Sequence, residues 1–257
     1  MFNFINKQII GWAIVTMSLS WGIIRFVNWV EPNFVFNFLA IGGFCFGFYL
    51  TKNANNEKEV KMTKLSIDTF NNLKKKYGGH SSWAVWGDVI DRPTSNMEDL
   101  SIFENKKILE VLNPEIVLVA LNFSVDKKME PWENFHGRKG EKKGEVYKLR
   151  YALKNTPLWG AYMTDIIEGH VDPKAKSMMH HLAEHPEKVV TNIKRFEKEI
   201  KDLNSDNPIL YALGDDVFEI LDNNLSHKYK IKKISHYAWR VNQEKYKEKV
   251  WDQLNLK

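Results

Sequence analysis

Two apolar runs near the start of the chain constrain its folding more than any other feature. The first begins at Ile9, reads IIGWAIVTMSLSWGII to Ile24, is broken by Arg25 and continues as FVNWV to Val30. Glu31, Pro32 and Asn33 make a polar break, and FVFNFLAIGGFCFGFYL then fills Phe34 to Leu50. Each run is within or near the roughly 17–25 residues that a helix needs to cross a hydrocarbon core. A secretory signal peptide would carry a charged start, a shorter apolar stretch and a small-residue cleavage site. Met1 to Asn6 holds no cation, and the second run follows the first almost at once. The sequence therefore predicts a two-helix transmembrane hairpin over residues 1–51. A linker and amphipathic helix over 52–76 and an α/β domain over 77–257 complete the expected organisation.

The flanks of the hairpin orient it. Lys7 precedes the first run, Lys52, Lys58, Lys61 and Lys64 follow the second, and the turn between them carries no cation. By the positive-inside rule both termini are expected in the cytoplasm. Ser18 with Gly22, and Gly43 with Gly47, repeat the small-xxx-small spacing that lets membrane helices approach closely. That spacing serves either the hairpin itself or a homo-oligomer. Arg25, Asn28 and Asn37 are costly in lipid, and by default such groups face a protein interior or a water-lined path. Arg25 can equally reach the interface on its long stem. The single cysteine, Cys45, lies inside the second run, which excludes an intrachain disulfide and a disulfide-stapled secreted scaffold. A net charge of +5 favours anionic neighbours such as lipid headgroups, nucleotides or nucleic acid without selecting among them.

Beyond the connector, Leu65, Phe70 and Leu73 recur near helical spacing over Met62 to Lys76, and a second helix is expected from Asn96 to Leu112. Four short apolar stretches read as strands: Ile116 to Leu121, Ala161 to Ile167, Ile209 to Gly214 and Lys230 to Ser235. Helical segments lie between them, around Tyr147 to Lys154, Pro186 to Leu203 and Asp215 to Asn223, and a last one spans Asn242 to Leu254. Strands alternating with helices predict a mainly parallel sheet covered on both faces.

Ligands of such sheets bind outside the carboxyl ends of the strands. Those ends carry Asn122 and Ser124, Asp165, Gly214 and Asp215, and His236 and Tyr237. The first strand also feeds a long loop, Asp126 to Arg150, in which Lys127, Lys128, Arg138, Lys139, Lys142, Lys143, Lys148 and Arg150 alternate with Trp132, Phe135 and Tyr147. Cations for phosphate and aromatic faces for bases are what single-strand nucleic-acid binding needs. A solvated loop with anchoring aromatics is the alternative, and Glu133 and Glu141 weaken the patch. Gly78 and Gly79 ahead of His80, Ser81 and Ser82 read either as a phosphate cradle or as a tight turn before a strand, which needs nothing more than glycine. His180, His181 and His185 give HHxxxH, with His181 and His185 expected on one helix face; no carboxylate completes a zinc site, and no metal or cofactor is expected.

In chain order, VALNFS at Val119 to Ser124, PWENFHG at Pro131 to Gly137, TDII at Thr164 to Ile167, YALGDDVFEIL at Tyr211 to Leu221 and SHYAW at Ser235 to Trp239 resemble the uracil-DNA glycosylase superfamily. The resemblance implies a three-layer αβα sandwich around a four-stranded mainly parallel sheet, with an extruded base as ligand. It implies ligand contacts from Asn122, Ser124, Trp132, Phe135, His136, Arg138, Lys139, Asp165, His236, Tyr237 and Arg240. Two departures bear on chemistry: Phe123 stands where that superfamily has a Pro, and Ala238 follows His236-Tyr237 where a Ser is usual. A ligand-binding module with no catalytic residues is therefore expected rather than an enzyme. If the chain is an enzyme, Asn122, Asp165 and His236 are its catalytic candidates. The layout also resembles membrane effectors of bacterial anti-phage systems, among them the Hailong-type effector, whose soluble domain is controlled by short single-stranded DNA. That likeness implies a homo-oligomer in the bacterial inner membrane. It also implies a nucleotide or oligonucleotide signal made by a partner enzyme.

Overall fold

The computed structural model divides into two units, residues 1–61 and 62–257. Side chains are described for residues 65–122, 129–137 and 144–256. The first unit is described only as the backbone of two antiparallel ladders, Ala13–Ser18 with Ile23–Asn28 and Phe34–Ile41 with Cys45–Lys52. The membrane hairpin expected there lies outside the described residues in its turns and in all its side chains, including Ser18, Gly22, Arg25, Asn28, Asn37, Gly43 and Gly47. No helix among the described residues is long and apolar enough to cross a membrane.

The second unit is an α/β fold built on a five-stranded mixed sheet with six helices. Its strands are β1 (Ser82–Trp83), β2 (Asn113–Asn122), β3 (Ala161–Ile167), β4 (Ile209–Leu213) and β5 (Ile231–Ile234). They lie in the order β1-β3-β2-β4-β5, and β3, β2, β4 and β5 run parallel. The four expected strands are these four. The fifth is β1, two residues paired antiparallel to β3 at the sheet edge. The helices are α1 (Ile67–Tyr77), α2 (Val146–Leu153), α3 (Ala175–Glu184), α4 (Pro186–Asp202), α5 (Asp215–Leu225) and α6 (Gln243–Gln253).

Alternation along the central strand assigns the layers. Val117, Val119 and Leu121 of β2 face a core completed by Phe70 and Leu73 of α1, Met178 of α3, Phe196 and Ile200 of α4 and Leu221 of α5. Leu118 and Ala120 face the opposite way, onto Leu149, Ala152 and Leu153 of α2 and Tyr246 and Val250 of α6. A strand covered on both faces needs no polar side, which is why Ile116 to Leu121 of β2 read as an unbroken apolar run. Local chemistry sets the helix starts. Ser66 accepts the Thr69 N–H at 3.0 Å, Asn242 accepts the Lys245 N–H at 2.9 Å, and Pro186 occupies the first turn of α4.

The helix expected over Asn96 to Leu112 does not form. Two short 3-10 helices, Ser101–Phe103 and Lys106–Glu110, replace it. Asp99 accepts the Ser101 N–H and Asn105 accepts the Lys107 N–H, each two residues on and each at 3.0 Å. Such side-chain turns compete with the i to i+4 ladder and restart the chain twice. The apolar spacing survives because Phe103 and Leu112 are still buried.

Candidate functional site

The parallel strands bring their carboxyl ends to one edge of the sheet. Ala120 lies opposite Asp165 and Asn122 opposite Ile167, so Asn122 and Asp165 stand one pleat apart on neighbouring strands. Asp165 is 2% exposed and follows Met163 onto the face covered by α2 and α6.

A strained turn supplies its partner. Trp132 and Phe135 both have left-handed backbones, at φ 72° and 63°. For bulky residues this costs on the order of 1–3 kcal/mol each and persists only where surrounding contacts impose it. Here Trp132 N–H donates to the Gly78 carbonyl, Ser82 Oγ donates to the Trp132 carbonyl, and Trp86 Nε1 donates to the Phe135 carbonyl, at 2.8, 2.8 and 3.0 Å. The turn presents Asn134, whose Nδ2 donates to Asp165 Oδ2 at 2.8 Å and to the His80 carbonyl at 2.6 Å. Its Oδ1 accepts the Phe135 N–H at 3.1 Å. These contacts fix which way round the amide stands, since a flipped one would set oxygen against the His80 carbonyl. Burial pushes the Asp165 carboxyl up to about 7, against the opposing pull of the Asn134 amide, His80 and Arg195. Near neutral pH the group therefore offers a hydroxyl donor as well as an acceptor.

Behind Asp165 lies an ionic network. Arg195 donates to the carbonyls of Asp165 and Ile166 at 2.7 and 3.2 Å and pairs with Glu199 at 2.5 Å and Glu168 at 3.3 Å. His80 Nε2 lies 2.8 Å from Glu168 and 3.6 Å from Glu199, which is fully buried. Burial alone would lower the His80 imidazole, but the two carboxylates outweigh it and raise it to about 9. Tyr162, buried on β3, donates to Glu199 at 2.8 Å. The network clamps the end of β3 to α4, its two cations offset by its two carboxylates.

The loop after β5 closes the other side. Lys148 of α2 is 1% exposed, and its Nζ donates to the carbonyls of Trp239 and Val241 at 2.8 and 3.2 Å while pairing with Glu145 at 2.7 Å. The Ala238 N–H donates to His236 Nδ1 at 3.0 Å. Burial, with help from the Lys148 charge, lowers His236 to about 4, so the ring is neutral. A neutral ring that accepts at Nδ1 carries its proton on Nε2, which is therefore a donor. Tyr237 stacks on His236 at 4.2 Å, and its hydroxyl is raised by burial and by Asp165. His236 and the half-exposed Trp239 line a cleft of about 800 Å³ with Leu121, Gly214 and Asp215. Gly214 has φ 100° at the turn from β4 into α5, a conformation that glycine adopts without strain.

Of the residues expected here, Asn122, His236 and Tyr237 belong to this carboxyl edge, whereas Asp165 and Phe135 lie beneath it, enclosed at 2% and 6% exposure, and do not line its cleft. Asn122 Nδ2 is engaged with the Asp172 carbonyl at 2.9 Å. Arg240 is exposed on the same loop as His236. Trp132 is a correction: it is fully buried against Trp83, Phe70 and Phe103 and props the turn instead of offering a face to a ligand. His136 is another, because both its ring nitrogens are out of contact with solvent and burial lowers it to about 4. Lys148 and Arg150 are structural cations, not phosphate ligands. Arg150 donates to the carbonyls of Gly87, Pro93 and Ser95. Ser124, Arg138 and Lys139 lie outside the described residues.

His181 and His185 stand together as expected, their rings 4.6 Å apart at 49° and the His185 N–H donating to the His181 carbonyl at 3.0 Å, although α3 ends at Glu184 and His185 is the joint to α4. His170 stacks on His181 at 3.9 Å and 12°, so their lone pairs lie in near-parallel planes and cannot converge on one ion. His181 Nε2 also accepts from Lys188 at 2.8 Å. Among the described residues no group of His, Cys, Asp or Glu could hold a metal.

Asn134, His80, Glu168, Arg195 and Glu199 were not legible as site residues. The strained residues Trp132 and Phe135 around Asn134 have no sequence signature, and the ionic network joins His80 to Glu168 and Glu199, far along the chain. Compared with known protein families, with curated proteins and with solved structures, the chain matches none.

Proposed function

We propose that the chain is a membrane effector of anti-phage defence in bacteria. In this reading its cytoplasmic domain, of uracil-DNA glycosylase-like fold, binds a nucleotide or short single-stranded DNA signal, and its apolar hairpin assembles with copies of itself into a pore gated by that signal. One observation carries the ligand class. The strand-end cleft is lined by His236, a neutral ring with an Nε2–H donor, by the half-exposed Trp239 and by Asp215. A donor and an acceptor beside the Trp239 ring suit the hydrogen-bonding edge and the flat face of a nucleobase. Four parallel strands with helices on both faces are the arrangement that the resemblance implies, and this supports the finer fold reading. The membrane part rests on the two apolar runs of residues 9–50 and on the lysines that flank them.

Binding is preferred to catalysis because the Asn122 amide is already engaged with the Asp172 carbonyl, and Asp165, enclosed and amide-bound, shapes the site from beneath without reaching its cleft. A ligand that binds the closed and open assemblies unequally shifts their populations without any reaction.

The test uses the full-length protein in lipid nanodiscs with labelled single-stranded oligonucleotides, alongside ion-flux measurements in liposomes. The proposal expects binding without release of free base, weakened at least about tenfold by His236→Ala, and a flux that responds to the oligonucleotide. Release of free base that Asn122→Ala abolishes would replace it with a membrane-tethered DNA glycosylase hydrolysing an N-glycosidic bond. Extraction of the chain from vesicles by alkaline carbonate would remove the membrane part of the reading.

A further inference from the structure

A second cleft, of about 310 Å³, opens between α2, the start of α6 and the loop 86–93, and it shares no lining residue with the strand-end cleft. Its volume is at the lower end of the roughly 300–1,000 Å³ typical of small-molecule sites. Trp86, Tyr147, Tyr151 and Trp159 supply its apolar surface, with Trp86 and Trp159 centred 5.7 Å apart at 58°. Three cations, Arg150, Lys154 and Lys247, line it, and no carboxylate does.

The cations differ in what they have left to give. Lys154 is paired with Asp88 at 2.7 Å. Arg150 is 3% exposed and donates to the carbonyls of Gly87, Pro93 and Ser95, while the Asp88 and Glu98 carboxylates bear on its charge from beyond ion-pair range. Its spare hydrogen-bonding capacity is small, but its charge is not cancelled by a contact partner. Lys247 is half-buried, held 5.0 Å over the Tyr151 ring and 4.2 Å over the Trp251 ring, and likewise has no carboxylate partner among the described residues. Aromatic faces hold an ammonium in place without neutralising it. The result is an aromatic-walled hollow with a buried positive charge at its base and a second, pre-positioned one at its rim.

We infer that this cleft binds a nucleoside monophosphate, the base against Trp159 and Tyr147 and the phosphate at Lys247. An apolar molecule would leave Lys247 uncompensated, and inorganic phosphate would leave the aromatic walls bare. A planar ring carrying an anionic group uses both. The inference stands apart from the strand-end reading, since it invokes different residues and a different cavity.

Calorimetric titration of the full-length protein in nanodiscs with AMP, adenosine and inorganic phosphate tests it. AMP is expected to bind saturably at one site, at least about tenfold more tightly than adenosine or phosphate. Lys247→Glu should erase the advantage of AMP over adenosine, and Trp159→Ala should weaken both by about tenfold or more. Lys247→Gln, which keeps the stem and removes only the charge, should act in the same direction and guards against a folding defect in the other variants. AMP binding no tighter than adenosine overturns the inference, as does an AMP affinity unmoved by either Lys247 variant. Loss of AMP binding in His236→Ala with retention in Lys247→Glu would place the nucleotide at the strand ends and also overturn it.

Discussion

Replacing Asp165 by Asn tests the electrostatics of the strand-end site with little change of shape. An Asn side chain mimics the protonated carboxyl: its oxygen can still accept from Asn134 Nδ2, and its NH₂ stands where the acid's hydroxyl was. Asp165 titrates near 7 in the fold, against 3.8 when unperturbed. Because the folded value is raised, the folded state holds a proton between pH 4 and 7 that the unfolded chain has lost. Stability therefore falls as pH rises through this window. At about 1.4 kcal/mol per pH unit the loss is on the order of 4 kcal/mol, complete above about pH 8. The Asn variant lacks this slope, so its stability relative to the parent should rise by that amount from pH 4 to pH 8. Urea unfolding of the detergent-solubilised full-length chain at pH 4, 5, 6, 7 and 8 measures it. Infrared spectroscopy should show a protonated-carboxyl band in the parent at pH 5 that is absent from the variant. A stability difference that does not change with pH, or one that shrinks as pH rises, would refute the assignment.

His80 carries the same sign by a different cause. Its value is raised from 6.5 to about 9, so its stabilisation is fully present below pH 6.5 and is lost as pH rises through about 9. His80→Gln should cost on the order of 3 kcal/mol at pH 6 and much less at pH 10, as read from unfolding curves at the two pH values. Trp132→Ala should destabilise by about 3–5 kcal/mol, because the side chain is wholly enclosed by Phe70, Trp83 and Phe103. If Trp132 met a ligand instead, binding would fall with little change in stability. Lys148→Met should release the carbonyls of Trp239 and Val241, at about 1.5–3 kcal/mol for bonds to a charged donor. Hydrogen exchange over residues 236–242 should then rise, and oligonucleotide binding should weaken, while α2 keeps its protection.

How much the sequence determined can be traced to particular residues. The apolar run of β2 and the alternation of strands with helices determined the α/β class and the parallel sheet, because a strand buried on both faces must be apolar throughout. Asn122, Asp165, His236 and Tyr237 could be placed at the carboxyl edge because they lie near or just past strand ends, and parallel topology carries all such ends to one edge. The two-residue strand at Ser82–Trp83 was too short for a periodic signal to place it in the sheet. Asp99 and Asn105 broke a predicted helix through bonds that hydrophobic spacing does not record. Trp132 looked like a stacking face and Lys148 like a phosphate ligand because the sequence counts aromatic rings and charges without their surroundings. Only the tertiary structure decided that the first is core and the second a brace. It alone also set Asn134 against Asp165 and His80 against Glu168, since these contacts join segments distant in the chain, and it is burial by those segments that changes what each group can do.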